Sequence, residues 1–201
     1  MSRADLPADR RQLDPTGVKR LNRTWRRAAH ARIALLLDSV TQPYNVGSII
    51  RSAAAFGAER MWLAGNTAPP THPSARKTGL GTGRLLEWEF QDGAAAAVKA
   101  AADAGFQVVA VELTADAVPL HEVRLAGDVC LAIGNEDHGC SPALLAAAHS
   151  VAYIPQTGRV GSLNVAVAAA IAMAETRRRE WHPDRERAAR NGETATRLSG
   201  G

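Results

Sequence analysis

Apolar runs and segments of helical period alternate along this 201-residue chain, and most boundaries between them carry a turn or capping residue. Residues 33–37 are continuously apolar and end at Asp38, the pattern of a strand covered on both faces. Over 46–56, Val46, Ile49, Ile50, Ala53 and Phe56 form one stripe and Gly57 follows, which predicts a helix with a glycine C-cap. Residues 60–64 predict a second strand. The Pro- and Gly-rich stretch 65–83 reads as a long loop, a feature that tends to be functional in compact domains, and residues 85–90 emerge from it. An alanine-rich helix over 92–104, closed by Gly105, leads into a strand over 106–112. A further strand over 129–133 breaks at Gly134. Ser141 followed by Pro142 is an N-cap with an N1 proline, so a helix runs through Ala148. A short strand over 151–155, a loop and a last helix over about 164–179 complete the pattern. Strands alternating with helices predict an α/β fold, a parallel sheet flanked by helices, with ligand groups at the strand carboxyl ends.

Composition narrows this picture. Aromatic residues are scarce and alanine-rich stretches dominate, so the helices pack closely. No apolar run approaches the roughly 20 residues that span a membrane, and the arginine-rich first 30 residues lack the apolar segment of a signal peptide, so a soluble, cytoplasmic protein is expected. Cys130 and Cys140 stand with nine residues between them and without a second Cys/His pair at metal-ligand spacing; a buried strand thiol and an incidental one are expected, and no metal.

The net charge of +4 is unevenly spread: +6 over residues 1–32, −4 over 33–174 and +2 over 175–201. Three parts follow: a basic arm over 1–32, an α/β domain over 33–180 and a flexible charged tail over 181–201. In the arm, Leu21, Trp25 and Ala28 or Ala29 recur at helical spacing and would pin a helix whose other face carries Arg20, Arg23, Arg26 and Arg27. Such a face suits phosphate contacts with a polyanion such as RNA. The tail reads as solvated.

Three segments at the strand ends carry unusual polar content. In Asn45-Val46-Gly47-Ser48-Ile49-Ile50-Arg51, Arg51 lies away from the apolar stripe and can fork onto a phosphate. In Gly134-Asn135-Glu136-Asp137-His138-Gly139, a strand running into a glycine and then a carboxylate puts Glu136 at the mouth of the sheet, with His138 as turn surface. In Ser162-Leu163-Asn164-Val165, Ser162 or Asn164 would cap the last helix and leave amide donors aimed at the site.

In this order and at this spacing the three segments resemble the signature motifs of the SpoU (TrmH-like) branch of the SPOUT superfamily, RNA 2′-O-ribose methyltransferases, over roughly residues 33–180. The resemblance implies a C-terminal trefoil knot, a homodimer with its site near the subunit interface, and S-adenosylmethionine as cofactor without a metal. Carried over, Val111, Gly134, Ile154 and Leu163 form the cofactor cleft, and Arg51, Asn45, Glu136, Ser162 and Asn164 the catalytic or structural polar set. Arg51 matches the proposed catalytic arginine. Since guanidinium groups stay protonated, its expected role is to fix phosphate and ribose and to stabilise the developing alkoxide. The acceptor is expected to be RNA, tRNA ahead of rRNA, because many relatives that modify rRNA carry a folded N-terminal RNA-binding domain and about 32 residues precede the first strand. A catalytically silent RNA-binding relative is the alternative. A dinucleotide-dependent dehydrogenase, suggested by Gly79-Leu80-Gly81-Thr82-Gly83, fails because no strand precedes that turn and no helix follows it.

Overall fold

The computed structural model describes residues 12–125 and 127–181 and divides into two compact units, Met1–His30 and Ala31–Gly201. In the first, Asp14 and Pro15 set the start of α1 (Pro15–Ala28): the Asp14 carboxylate accepts the Gly17 amide at 2.6 Å, and proline gives up an amide that had no helical partner. Arg20, Arg23, Arg26 and Arg27 all lie on this helix. The tail assigned to 181–201 lies outside the described residues apart from Trp181.

The second unit is a seven-stranded parallel sheet with helices on both faces. Its strands are β1 (Ile33–Asp38), β2 (Ala58–Ala64), β3 (Glu87–Phe90), β4 (Gln107–Val111), β5 (Val118–Pro119), β6 (Val129–Ile133) and β7 (Ser150–Tyr153), in the order β3-β2-β1-β6-β4-β7-β5. The helices are α2 (Pro43–Phe56), α3 (Pro73–Thr78), α4 (Ala94–Asp103), α5 (Pro142–Ala147) and α6 (Val165–Trp181). β1 sits mid-sheet and is buried along its whole length, which is why its sequence shows no polar alternation. Ile33, Leu35 and Leu37 join Met61, Leu63, Leu131 and Ile133 in one core with Val46, Ile49 and Ile50 of α2 and Ala169, Ala172 and Met173 of α6. Ala34 and Leu36 turn the other way, to Trp62, Cys130 and the apolar sides of α4 and α5. Each fully buried leucine or isoleucine contributes about 1.5–3 kcal/mol.

Most expected elements are present, with ends shifted by a few residues. Two features differ. The stretch read as a loop over 65–83 holds α3 and leads into a 3-10 turn, Thr82–Leu85; α3 starts on Pro73 with the His72 ring accepting the Ser74 amide at 3.2 Å, a capping arrangement concealed by the prolines and glycines around it. The two-residue β5, paired with β7, is too short to leave a pattern. Within the protomer α6 buries Ala166, Ala169 and Ala172 and leaves Val167 and Ile171 48% and 38% exposed.

Near its end α6 buries two arginines. Arg177 donates to the Phe56 and Gly57 carbonyls at 2.9 and 3.2 Å and to Ala31 O at 2.8 Å, and pairs with Glu180 at 3.0 Å. It thereby satisfies carbonyls left over where α2 terminates. Arg179 donates to the Val123 and Leu120 carbonyls and pairs with Glu175. These two arginines fasten α6 to α2 and to the segment before β6.

Candidate active site

The connections leaving the adjacent parallel strands β1 and β6 run to opposite sides of the sheet, to β2 and to β7, so the loops at their carboxyl ends diverge and open a crevice. Beside it lies a cleft of about 340 Å³. Val111, Gly134, Ile154 and Leu163, assigned from four separate stretches of sequence, all line it, as do Glu136 and Ser162.

Glu136 is the centre of the polar arrangement. Its Oε2 accepts the Thr41 amide at 3.1 Å and the Thr41 hydroxyl at 3.3 Å; its Oε1 accepts the Gln42 amide at 3.0 Å and Asn45 Nδ2 at 2.9 Å. A carboxylate only accepts, so Asn45 must turn its amino group to Glu136, and its Oδ1 is left to accept Asn164 Nδ2 at 3.0 Å. The Asn164 Oδ1 then accepts the Ala166 and Val167 amides at 3.0 and 3.3 Å and caps α6. Of the two candidate caps it is Asn164 that serves, while Ser162 stands exposed at the cleft rim. One chain of hydrogen bonds thus joins the β1–α2 loop, α2, the loop after β6 and the start of α6. Burial acts to raise the Glu136 pKa, but the hydrogen bonds from Asn45 and from backbone amides, Gln42 and Thr41 among them, outweigh it and hold the carboxyl below the usual glutamate range. Glu136 is therefore an anionic clamp and a poor proton acceptor.

Gly134 has no room for a side chain: a methyl there would overlap the Cys140 amide and the Gly139 carbonyl, so the loop after β6 folds directly onto the strand end. Three groups that hold this loop were missed in the sequence reading. Asp38 at the end of β1 accepts the Ser141 amide at 2.9 Å, and Glu112 just past β4 accepts the Cys140 amide at 2.8 Å. Asn135 donates to Ser39 O at 2.8 Å while its Oδ1 accepts the Asp137 and His138 amides at 2.9 and 3.0 Å. The available signal was an ionisable residue at the carboxyl end of an apolar run, at 38 and again at 112.

Arg51 is not brought into the cleft. It is exposed on α2, as the helical wheel requires, and its side chain makes no hydrogen bond or ion pair among the described residues. His138 is exposed beside Asn135, in the turn-surface position expected for it. Cys130 and Cys140 are free and buried; burial pushes both thiols up, for Cys140 together with the neighbouring Glu112 and Asp38 carboxylates, so neither is poised as a nucleophile. No helix of the described residues is long and apolar enough to cross a membrane.

Residues 32–174 match the SpoU rRNA Methylase family. The chain is 34% identical over 145 residues to a 23S rRNA (guanosine-2′-O-)-methyltransferase of Acinetobacter baylyi, covering 71% of this chain and 58% of that one. Among solved structures it is similar to an AdoMet-bound rRNA methyltransferase from Sinorhizobium meliloti, with a TM-score of 0.69, 33% identity and coverage of 75% and 57% of the two chains. It is also similar to a TrmH/SpoU tRNA-modifying enzyme of A. aeolicus, with a TM-score of 0.67, 26% identity and coverage of 83% and 86%. The chain spans about three fifths of the length of the curated relatives it matches first. With the match running through every strand of the sheet, and with Gly134, Glu136, Ile154, Ser162 and Leu163 gathered at one strand-end cleft, the chain belongs to the SpoU rRNA methylase family.

Proposed function

We propose that this protein transfers a methyl group from S-adenosylmethionine to the 2′-hydroxyl of a ribose in structured RNA. The observation that carries the reading is the convergence of Val111, Gly134, Ile154 and Leu163 on one cleft directly beside the Glu136–Asn45–Asn164 chain. The cleft suits the cofactor: its volume lies within the range of small-molecule sites, and its walls include apolar Val111, Ile133, Ile154, Leu163 and Val165 beside a polar rim. The 2′-oxygen and the AdoMet requirement are supported by the names of the Acinetobacter and Sinorhizobium relatives. For the acceptor we place tRNA ahead of rRNA, and the likeness to the tRNA-modifying enzyme of A. aeolicus supports that order.

When bound, S-adenosylmethionine supplies an already electrophilic methyl group, so the chain's own residues have mainly to align and dehydrate the acceptor. Glu136, Asn45 and Asn164 set the relative positions of α2, α6 and the loop after β6, and so fix the cleft's edge. Arg51 holds the RNA phosphate and ribose and stabilises charge developing on the 2′-oxygen. Because Arg51 lies outside the protomer's own cleft, we propose that it completes the site across a homodimer contact. The exposed Val167 and Ile171, on the helix packed against α2, support such a contact, and the knotted C-terminal threading belongs to the same proposal. α1 with its four arginines adds sequence-independent phosphate contacts.

The test is transfer from methyl-labelled S-adenosylmethionine to separated tRNA and rRNA, followed by alkaline hydrolysis. Label in alkali-resistant dinucleotides from tRNA is expected, since a methylated 2′-oxygen cannot assist cleavage of the adjacent phosphodiester. Label in alkali-released mononucleotides, or none in either RNA, would contradict the reading.

A further inference from the structure

The glycine turn at 79–83 remains unused by the site, yet it packs against the helix that carries Arg51. Residue 47 of α2 meets α3 backbone to backbone: a methyl on Gly47 would overlap Ala75 O. A methyl of Ile50, the residue before Arg51, lies closest to the space beside Gly83 and is among the nearest groups to that beside Gly79. Arg51, Arg76, Lys77 and Arg84 are thus carried by three packed elements: α2, α3 and the 3-10 turn. All four are exposed, their side chains make no hydrogen bond or ion pair among the described residues, and the three elements contain no acidic residue. Over residues 33–174, whose net charge is −4, four of the eight basic residues and none of the twelve acidic ones lie on these three elements. Leu80, in the turn between Lys77 and Arg84, holds a left-handed backbone conformation (φ 49°) and is 65% exposed, a strained presentation that packing does not repay.

We propose that the α2–α3–turn face, with Arg76, Lys77 and Arg84, is a phosphate-backbone docking surface for the RNA acceptor, leading the strand toward Arg51. This rests on the RNA-acceptor reading above and adds to it a second basic surface, on the sheet domain, independent of α1. Cations without acidic partners are already unpaired, so docking a phosphate breaks no internal ion pair, and the released counterions make the interaction salt-dependent.

The experiment is a salt series of RNA binding by the full chain, comparing wild type with the combined Arg76→Ala, Lys77→Ala, Arg84→Ala variant and with a charge-retaining Arg76→Lys, Lys77→Arg, Arg84→Lys variant. Each lost phosphate contact lowers the slope of log K against log salt by about 0.7–0.9. The alanine variant should therefore lose about two to three slope units and bind RNA at least about tenfold more weakly at 0.1 M salt, with S-adenosylmethionine affinity unchanged. The charge-retaining variant should keep the wild-type slope. Should the triple alanine variant fold poorly, Lys77→Gln and Arg84→Gln taken singly should each lower the slope by about one unit. An unchanged slope in variants of a wild type that binds RNA overturns this surface and leaves the methyl-transfer reading standing; a wild type that binds no RNA overturns both.

Discussion

The two stretches of α2 use their polar residues in opposite ways. At the N-terminal end Asn45 is enclosed between Glu136 and Asn164, with both ends of its amide engaged and its orientation dictated by the carboxylate. Less than two turns on, Arg51 is exposed with no internal partner, and the neighbouring α3 and turn add three more cations in the same condition. Groups that must define a cleft to within a fraction of an ångström are satisfied inside the protein, where a missing partner would cost about 1–3 kcal/mol. Groups proposed to meet a large, variable polyanion are left to water, where surface charge is inexpensive to hold and free to pair.

The comparison is broken most completely at Gly134. Gly134→Val should abolish S-adenosylmethionine binding and lower stability by about 1–3 kcal/mol or more, since the added atoms can be placed only by lifting the 139–140 backbone off the strand end. Calorimetric titration and urea unfolding read both losses, and retained cofactor affinity would show that the loop is not the wall of the site.

A smaller effect is expected at Glu136. Glu136→Ala leaves the Thr41 and Gln42 amides and the Asn45 amino group without their acceptor and should lower stability by about 1–3 kcal/mol. The same carboxylate imposes a pH dependence. Its pKa in the folded chain is depressed below the ordinary value of about 4.3, so its contribution is fully present above that value and is lost as pH falls through the folded one. Glu175, lowered chiefly by its bond from Arg178, acts in the same direction. Urea midpoints of the wild type should fall from about pH 5 downward, and Glu136→Gln should flatten that limb; parallel limbs would remove Glu136 from the account.

Much of this was legible in the sequence, for identifiable reasons. β1 announced itself because a strand buried on both faces has no polar positions, and α2 because its stripe and C-cap agree. The cleft-lining set came from motif resemblance, and the assignment of Glu136 to the mouth of the sheet came from a strand ending in a glycine and a carboxylate. What stayed hidden depends on partners distant in the chain. Glu112 meets the Cys140 amide and Arg177 the end of α2, pairings that no local period encodes. α3 was lost because His72 caps through a ring nitrogen and Pro73 looks like a breaker when it is a helix starter.

The central claim is that the cleft binds the cofactor while Arg51 acts on the acceptor from outside it. The most direct measurement pairs S-adenosylmethionine titration with methyl transfer to RNA in wild type and Arg51→Ala. The account predicts cofactor affinity unchanged within about twofold and transfer reduced by a factor of about 10²–10³, the loss typical when one donor to a developing oxyanion is removed. Arg51→Lys should restore only part of it, because a point charge lacks the guanidinium fork. A fall in cofactor affinity that matches the fall in transfer, or transfer that survives in Arg51→Ala, would contradict it.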